Sequence, residues 1–519
     1  MQIVDNRALM LRVRNPDRIT TVIPKSRVVD RDGTHTRVLV NWGLDESVVL
    51  KNLGYKKTPS PILRNYNWPG IHRPWTHQKT TAAFLTMHRR AFCFNEMGTA
   101  KTSSAIWAAD YLMGMGAVKK VLIICPLSIM SSVWVGDLFK TAMHRTVQVA
   151  YSKDSDKRKA IIRENHAEFM VINYDGVEVA KEEIRAAKFD MIIVDECNAY
   201  KTVSTKRWKT LNSLLRPGSW LWMMTGTPAA QSPTDAYGLA KLVSPDNVPA
   251  FYGAFRDMVM WKVTNFRWVP KDNAQDIVHR VLQPAIRFTK EECLDLPPMT
   301  HMTREVALTP QQSKYYEGLR RQFTVQAAGE DITAVNAAAN MNKMLQVCSG
   351  CVYSDSGDTI QFDSSSRLTA LKEVIDESSH KVLVFANYKH SIEMLYEELT
   401  AAGYGVAVIN GGVAAGRRTE IFAEFQKTDS ALRVLIIQPQ AASHGVTLHA
   451  ANTIVYWTPV MSVETYLQCN GRVHRAGQRN PATVIHLQGS ALERKIYAML
   501  EGKIELHTKL IDLYKEVLI

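Results

Sequence analysis

The chain contains 519 residues, of which 46% are hydrophobic and 22% are charged. This length predicts roughly three domains with buried cores, and the composition excludes the disordered and fibrous classes. The formal net charge of +13 favours polyanionic partners, above all phosphate backbones. A basic enzyme without such a partner has the same composition, so the charge alone leaves both alternatives open.

Cysteine usage and the N-terminus bear on the compartment. The seven cysteines are scattered singly, except for the pair Cys348 and Cys351. One CxxC pair without a second pair or a nearby histidine is a weak metal signal, and scattered cysteines fit a reducing cytoplasm. The N-terminus lacks a signal-peptide pattern, and no apolar run approaches the ~20 residues that span a bilayer. We therefore expect a cytoplasmic protein that does not associate with membranes.

Residues 1–53 predict a small β-rich module. Leu9, Leu11 and Val13 alternate with a methionine and two arginines, which is the period of a half-buried strand. Asp32-Gly33 lies between two valine-rich runs, and this pattern predicts a hairpin.

The module is followed by a predicted linker and carries an excess of basic residues. Residues 54–70 are rich in Gly, Pro and Asn, which is typical of a linker. Residues 1–70 contain twelve Lys or Arg residues against six Asp or Glu residues. This segment is either a DNA-facing module or a structural cap with a solvated basic face.

Two α/β blocks are predicted, at residues 71–245 and 367–490. In both blocks short apolar runs alternate with helical stretches, which predicts buried parallel strands joined by crossover helices. The runs are AFCFNEM, VLIICP, FMVIN, MIIVDE and LWMMTG in the first block, and KVLVFAN, YGVAVIN, VLIIQP, TIVYW and TVIHL in the second. Residues 246–366 predict a mostly helical insertion and inter-lobe linker, and residues 491–519 predict a C-terminal helical brace. The expected fold class is α/β, with two parallel-sheet lobes in tandem.

A phosphate-binding loop is predicted where the first apolar run meets a helix. Gly98, Thr99 and Ala100 form a loop of small residues, and Lys101 and Thr102 lead into the helical stretch SSAIWAADYLM. Backbone N–H groups and a helix N-terminus attract phosphate oxygens. In this pattern Lys101 neutralises the β- and γ-phosphates, and Thr102 ligates Mg²⁺.

A pair of carboxylates supplies the second half of the predicted site. The apolar run MIIV ends in Asp195 and Glu196. Carboxylates at the carboxyl end of a parallel strand lie beside the phosphate loop. We expect Asp195 to hold Mg²⁺ and Glu196 to orient and deprotonate the attacking water. The alternative is a strand end with two solvated acids.

The second block offers two arginines for the same chemistry. Arg472 and Arg475 are three residues apart, and on a helix they would point the same way. They are candidates for stabilising a γ-phosphate held by the first block, which would couple hydrolysis to domain movement. The alternative is a pair of surface arginines in salt bridges.

The order and spacing of these signatures resemble the Swi/Snf group of superfamily-two helicase-like ATPases over about residues 71–512. The matching strings are Arg73 to Gln78, Pro126 with Trp134, Asn173-Tyr174, Asp195 to Asn198, Thr225-Gly226-Thr227-Pro228, LPPMT and LTPQQSKYY between Phe288 and Tyr316, Ser443 to Leu448, and Arg472 to Gln478. The string Arg472 to Gln478, together with TGTP and LPP, is highly specific.

The resemblance implies two RecA-like lobes, hydrolysis of ATP with Mg²⁺, and contacts with a DNA backbone that carry little sequence information. It implies that Gln78 reads adenine, and that Gly445 and Gln468 join the loop residues in nucleotide binding. Side chains implied near DNA are Ser128, Lys201, Thr225, Lys389 and Arg417.

Three positions depart from the family's usual Asp-Glu-Met-Gly-Leu-Gly-Lys-Thr and Asp-Glu-x-His strings. Asn95 and Ala100 stand in the loop, and Asn198 stands where the family often has His. Alanine cannot adopt every glycine conformation, so a slightly reshaped loop is expected. The expectation is nevertheless an active ATPase, because the key side chains are all present: Lys101, Thr102, Asp195, Glu196, Arg472 and Arg475.

The resemblance is strongest to compact bacteriophage and bacterial members, and it extends weakly to annealing helicases. We therefore expect a DNA translocase or helicase that acts on duplex or branched DNA in replication, recombination or repair, in a bacterial cytoplasm or the host cell of a phage. Alternatives are a strand-separating replicative or recombination helicase, an RNA-dependent ATPase, and a non-catalytic DNA-binding scaffold.

Overall fold

The computed structural model describes residues 1–264, 267–329, 334–353, 359–443 and 446–516. The chain divides into two compact units. Of the described residues, the first unit contains 1–229, 233–289 and 511–516, and the second contains 230–232 and 290–510.

A four-stranded antiparallel sheet opens the first unit, in the order β1-β2-β4-β3. Leu9, Leu11 and Val13 are buried on one face of this sheet, as their alternation predicts. The predicted hairpin joins β3 to β4, and Gly33 adopts a φ of +61° in its turn. The strands are β1 (Gln2–Val4), β2 (Ala8–Val13), β3 (Arg27–Asp32) and β4 (His35–Asn41).

A seven-stranded sheet forms the core of the first unit, and every pair of neighbouring strands in it is parallel. Its order is β13-β5-β10-β9-β6-β8-β7. The predicted apolar runs supply the five central strands, whereas the edge strands β7 and β13 were not predicted. The strands of this unit are β5 (Arg90–Cys93), β6 (Val121–Cys125), β7 (Val147–Val149), β8 (Phe169–Asn173), β9 (Met191–Asp195), β10 (Trp220–Met224), β11 (Met260–Lys262), β12 (Trp268–Pro270) and β13 (Ala285–Ile286).

The helices of the first unit include the crossovers between these parallel strands, as expected for an α/β fold. They are α1 (Asp17–Thr20), α2 (Leu44–Asn52), α3 (Ile62–Asn65), α4 (Thr76–Thr86), α5 (Lys101–Gly114), α6 (Gly136–Thr141), α7 (Ser155–Arg163), α8 (Tyr174–Val179), α9 (Lys181–Ala187), α10 (Lys206–Leu214), α11 (Ala236–Val243), α12 (Tyr252–Val259) and α13 (Ala274–Val281). A π-helical turn, Met130–Val135, precedes α6.

The second unit contains a six-stranded parallel sheet in the order β14-β21-β20-β17-β19-β18. The two parallel sheets and the small N-terminal sheet confirm the expected fold class. Strand β14, inside the segment expected to be mostly helical, pairs with β21 over seven residues. The strands are β14 (Met299–Glu305), β15 (Cys351–Tyr353), β16 (Thr359–Gln361), β17 (Lys381–Phe385), β18 (Val406–Ile409), β19 (Val434–Ile437), β20 (Ala451–Tyr456) and β21 (Ala482–Gln488).

Helices begin in this second unit, and the last of them is the longest helix among the described residues. They are α14 (Lys290–Cys293), α15 (Pro310–Gly329), α16 (Ala334–Cys348), α17 (Ser365–Glu377), α18 (Lys389–Ala401), α19 (Ala415–Gln426), α20 (Val463–Asn470) and α21 (Ala491–Glu516). Within the described residues, no helix combines the length and apolar character needed to cross a bilayer.

The CxxC pair lies in the core of the second unit. Cys348 and Cys351 are buried, and their sulfurs contact Ser490 and Ser391. Burial raises the pKa of the Cys348 thiol to about 12. The described residues contain no cluster of three or more metal-ligating side chains, and the low metal expectation for this pair stays a prediction.

A buried ion pair fixes the start of α21 in the second unit. Arg367 of α17 donates two hydrogen bonds to the Glu493 carboxylate, at 2.8 and 3.0 Å, and both side chains are at most 3% exposed. Glu493 also accepts hydrogen bonds from the backbone N–H groups of Gly489 and Ser490. Burial acts to raise the pKa of Glu493, but the guanidinium and these donors hold it below its usual value.

We expect Glu493→Gln to destabilise the second unit by about 3–5 kcal/mol, because it leaves the buried Arg367 charge uncompensated. Urea unfolding of the full chain, followed by circular dichroism, measures the change. The control is Arg494→Gln, which breaks an exposed pair with Glu305 and is expected to cost less than about 1 kcal/mol. Equal effects of the two substitutions would contradict the role given to the buried pair.

Candidate nucleotide-binding site

The phosphate loop connects β5 to α5 in the first unit. Gly98 has a φ of +92°, a conformation that favours glycine. Helix α5 begins at Lys101 and runs for 14 residues. Its first N–H groups have no partner within the helix, so they are available to phosphate oxygens.

The two departures in this loop are accommodated differently. Ala100 takes the left-handed conformation, with φ 55° and ψ 43°, which costs an L-residue roughly 1–2 kcal/mol. Asn95 is fully buried and makes two hydrogen bonds, since it donates to Thr81 and accepts from the Phe288 N–H. The loop therefore keeps the turn that a glycine would favour, at an energetic cost located at Ala100.

Helix α4 supports the loop from one side. Gln78 accepts a hydrogen bond from the Trp75 N–H, and its amide donates to the Ala100 carbonyl at 3.4 Å. The His77 ring nitrogen lies 2.9 Å from the Thr99 carbonyl, and burial lowers the pKa of this histidine. The predicted adenine-reading residue thus lies directly against the loop.

Asp195 ends β9 with a carboxylate that is 4% exposed. One oxygen accepts a hydrogen bond from the Trp134 indole at 3.1 Å, and the other accepts from the Glu196 N–H at 3.0 Å. Burial raises the pKa of Asp195, and the neighbouring Lys101 charge opposes that rise. A second positive charge at this carboxylate would stabilise its ionised form.

Glu196 lies between the phosphate loop and the strand β10. Its Oε1 is 4.0 Å from the Lys101 ammonium, and its Oε2 accepts a hydrogen bond from the Thr225 hydroxyl at 3.3 Å. The residue has a φ of +48°, which is uncommon for a residue other than glycine and is often found at functional sites. The predicted lysine and the predicted base are therefore brought together.

Asn198 connects the paired acids to the TGTP string. Its amide nitrogen lies 3.1 to 3.3 Å from the Thr227 carbonyl and from the hydroxyls of Thr225 and Thr227. Thr225 in turn contacts Glu196. A chain of hydrogen bonds thus runs from the predicted base to the loop after β10.

The end of β10 lies close to the phosphate loop. A Cβ atom at Gly226 would be 3.1 Å from the Met97 nitrogen, which is a tight contact, so this approach favours glycine. The guanidinium of Arg287, which is 3% exposed, donates to the Phe94 and Gly226 carbonyls at 2.6 and 3.1 Å. Arg287, which follows β13, thereby links the segments that follow β5 and β10.

The donors at this site suit Mg²⁺. Thr102 is in the first turn of α5, and Asp195 offers a buried carboxylate whose geometry is fixed by two hydrogen bonds. Hydroxyl and carboxylate oxygens are ligands that Mg²⁺ prefers, usually together with waters and substrate phosphates. These two residues would hold the ion.

The two predicted arginines lie in the second unit, but the prediction that both are on a helix is wrong. Helix α20 ends at Asn470, and the chain from Gly471 onward forms turns. Within these turns, the N–H groups of Val473 and His474 both bond to the Asn470 carbonyl. Arg472 is 6% exposed, whereas the half-buried Arg475 donates to the Val446 carbonyl at 3.3 Å.

Gln478 holds this turn segment in place. The side chain is buried, and its amide nitrogen donates to the carbonyls of Ala451, His449 and Val473. Its carbonyl oxygen accepts from the N–H groups of the two following residues. The last residue of the most specific sequence string therefore has a structural role.

The turn segment also contacts the LPP string within the second unit. The His474 ring lies 2.8 Å from the Pro297 carbonyl, and the Lys290 ammonium donates to the His474 carbonyl. Gln468 is on α20 and donates to Glu464. Gly445 lies outside the described residues.

The structure thus brings Gln78, the phosphate loop, Asp195 and Glu196 together in the first unit. It places Gln468, Arg472 and Arg475 in the second. Several supporting residues were not predicted from sequence, because their partners are distant along the chain: Asn95, Arg287 and the ring of His77. Trp134 was noticed as part of a motif, but its contact with Asp195, 61 residues away, was not predicted.

Three of the side chains expected near DNA form ion pairs within their own unit. Lys201 pairs with Asp235 at 3.0 Å, and the other two pairs are Lys389 with Glu393 and Arg417 with Glu420. The pairs of Lys389 and Arg417 are exposed and therefore weak, so they do not prevent contacts with phosphates, whereas the pair of Lys201 is half-buried.

Known proteins provide an independent comparison. The family description "SNF2-related domain" matches residues 77–353, and "Helicase conserved C-terminal domain" matches residues 366–477. The chain is 23% identical over 477 residues to a zebrafish (Danio rerio) protein named chromodomain-helicase-DNA-binding protein 1-like, covering 87% of this chain and 45% of that protein. It is 24% identical to putative protein p41 of Acyrthosiphon pisum secondary endosymbiont phage 1, covering 80% of this chain and 92% of p41.

The chain is also similar to a solved structure, the Sulfolobus solfataricus SWI2/SNF2 ATPase core in complex with dsDNA. The sequence identity is 18% and the TM-score is 0.41, and the match covers 86% of this protein and 94% of the Sulfolobus chain. The chain spans about half the length of the first curated relatives that it matches. The match to the SNF2-related domain covers more than half of the chain and contains the phosphate loop, the paired acids and the TGTP string. The chain therefore belongs to the SNF2-related family of helicase-like proteins.

Proposed function

We propose that this protein is a DNA-dependent ATPase that uses ATP and Mg²⁺ to move along duplex or branched DNA, with little sequence preference. The observation that carries this proposal is the position of Glu196, 4.0 Å from the Lys101 ammonium and hydrogen-bonded to Thr225. A carboxylate held beside a phosphate-binding lysine is placed to act on a water that attacks the γ-phosphate.

Different residues of the first unit have different roles in ATP hydrolysis. Lys101 and the N-terminus of α5 neutralise the phosphate oxygens. Glu196 orients the water and accepts its proton, while Thr225 fixes the carboxylate through its other oxygen. Thr102 and Asp195 would hold Mg²⁺, which when bound would supply positive charge against the charge that develops on the phosphate oxygens.

We assign Arg472 and Arg475 to stabilisation of the γ-phosphate in the transition state. The support is their place in the string that ends at Gln478, whose buried amide fixes the turn that carries both arginines. If both units must contribute, then hydrolysis is coupled to domain movement.

The proposed biological role is replication, recombination or repair in a bacterial cytoplasm or the host cell of a phage. The similarity to the phage protein p41 over 92% of its length supports this context. A DNA-facing role for the N-terminal module is supported by its exposed basic side chains, among them Arg14, Lys25, Arg27 and Arg31.

The proposal is tested by measuring ATP hydrolysis at one fixed salt concentration. The nucleic acids compared are plain duplex DNA, forked DNA, single-stranded DNA and RNA. We expect duplex or forked DNA to stimulate turnover most strongly. Stimulation by single strands alone would favour a strand-separating helicase, stimulation by RNA alone would favour an RNA-dependent ATPase, and an absence of hydrolysis would favour a scaffold.

Substitutions separate the predicted base from the phosphate-binding residue. We expect Lys101→Ala and Glu196→Gln each to lower kcat by at least about 100-fold, because each removes an interaction made in the transition state. Only Glu196→Gln should keep nucleotide affinity near the wild-type value, as measured by binding of a fluorescent ATP analogue. Normal turnover in Glu196→Gln would show that the base is assigned wrongly.

Trp134→Phe tests the orientation of Asp195. The substitution keeps an aromatic ring in the core but removes the hydrogen bond to the carboxylate, so we expect about a tenfold loss of kcat and a higher Mg²⁺ requirement. The matched control is Trp222→Phe, whose buried indole donates to the His88 carbonyl instead. If both variants lose activity equally, then the effect of Trp134 is one of packing alone.

A further inference from the structure

The hairpin formed by β11 and β12 in the first unit exposes apolar side chains on one face. Trp261 is opposite Val269 in the register, and opposite residues of an antiparallel pair share a face. Val263, two residues after Trp261, continues this alternation just beyond β11, where its N–H donates to the Arg267 carbonyl, so it belongs to the same face. The exposed fractions of these side chains are 61% for Trp261, 55% for Val263 and 37% for Val269. Grouped exposed apolar side chains of this kind often mark interaction sites.

The opposite face of the hairpin is held by its own unit. The Arg256 guanidinium of α12 lies 3.8 Å from the centre of the Trp268 ring, which is only half-buried. Trp268 is opposite Lys262 in the register, on the face away from Trp261. The Lys271 N–H also donates to the Val259 carbonyl at the end of α12. These contacts fix which face is exposed.

Basic side chains lie on the hairpin that carries the exposed tryptophan. The Lys271 ammonium lies 4.3 Å from the centre of the Trp261 ring, Arg267 is exposed, and Lys262 is exposed on the opposite face. Residues 256–272 contain four basic and two acidic side chains. Exposed rings among cations match the two parts of an unpaired nucleotide, because a base stacks on an aromatic ring and a phosphate is attracted to a cation.

We propose that this face, defined by Trp261, Val263, Arg267 and Val269, binds unpaired bases of a DNA strand that adjoins a duplex. The proposal rests on the proposed function, since it names the DNA structure that the same protein would prefer. An apolar protein surface would gain nothing from the surrounding cations, and a site for phosphates alone would gain nothing from an exposed indole. The chemistry on this face therefore fits nucleotides whose bases are accessible.

Two substitutions separate stacking from bulk. Trp261→Phe keeps an aromatic ring, whereas Trp261→Leu keeps apolar volume without an aromatic ring. As a control, Tyr396→Ala removes an exposed ring on α18 of the second unit. The full chain is titrated with a duplex that has a single-stranded tail and with the same duplex carrying an abasic tail, which keeps the phosphates and lacks the bases. Fluorescence anisotropy of the labelled DNA gives the Kd at one salt concentration.

We expect wild type, Trp261→Phe and Tyr396→Ala to bind the base-containing tail more tightly than the abasic tail, by about fivefold or more. Trp261→Leu should bind both tails equally. An unchanged base preference in Trp261→Leu, or no preference in wild type, would overturn the proposal. A change of oligomeric state in Trp261→Leu, measured by sedimentation, would overturn it in favour of self-association.

Measuring ATP hydrolysis with a blunt DNA duplex distinguishes failure of the hairpin proposal from failure of the proposed function. If blunt duplex stimulates wild type and Trp261→Leu equally while neither shows a base preference, then only the hairpin assignment is wrong. If no DNA stimulates wild type, the proposed function itself is wrong.

Discussion

Asp195 places an ionisable group at the end of a fully buried strand, and much of the first unit is arranged around that group. Burial disfavours the charged carboxylate, so the fold supplies an indole donor from Trp134, a backbone donor from Glu196 and the nearby Lys101 charge. Each donor comes from a different segment. The parallel sheet makes this convergence possible, because the carboxyl ends of its strands meet at one edge.

The central strands of both sheets could be predicted from sequence, because apolar runs such as MIIVD are buried on both faces. Three of the edge strands could not. Strand β14, with the sequence MTHMTRE, is mostly exposed and has no apolar run, whereas β7 and β13 have only three and two residues. The end of α20 at Asn470 was also missed, since the turns that follow depend on tertiary contacts with Gln478 and Pro297 as well as on local backbone hydrogen bonds.

At the candidate site, too, some residues could be predicted from sequence and others could not. Lys101, Thr102, Asp195 and Glu196 were predicted because their types and spacing are typical of nucleotide hydrolysis. The groups that orient them depend on tertiary contacts, such as the bond between Trp134 and Asp195 across 61 residues. The conformation of Ala100 could not be predicted for a different reason: alanine disfavours the left-handed conformation that it nevertheless adopts in the loop.

Asn198 gives the connection between Glu196 and the TGTP string a property that histidine would not. The linking groups are the Asn198 amide and the hydroxyls of Thr225 and Thr227, and neither amides nor hydroxyls gain or lose protons near neutral pH. A histidine at this position would change charge between about pH 5 and 8. The amide and hydroxyl groups that link the end of β9 to the end of β10 consequently keep the same charge over that range.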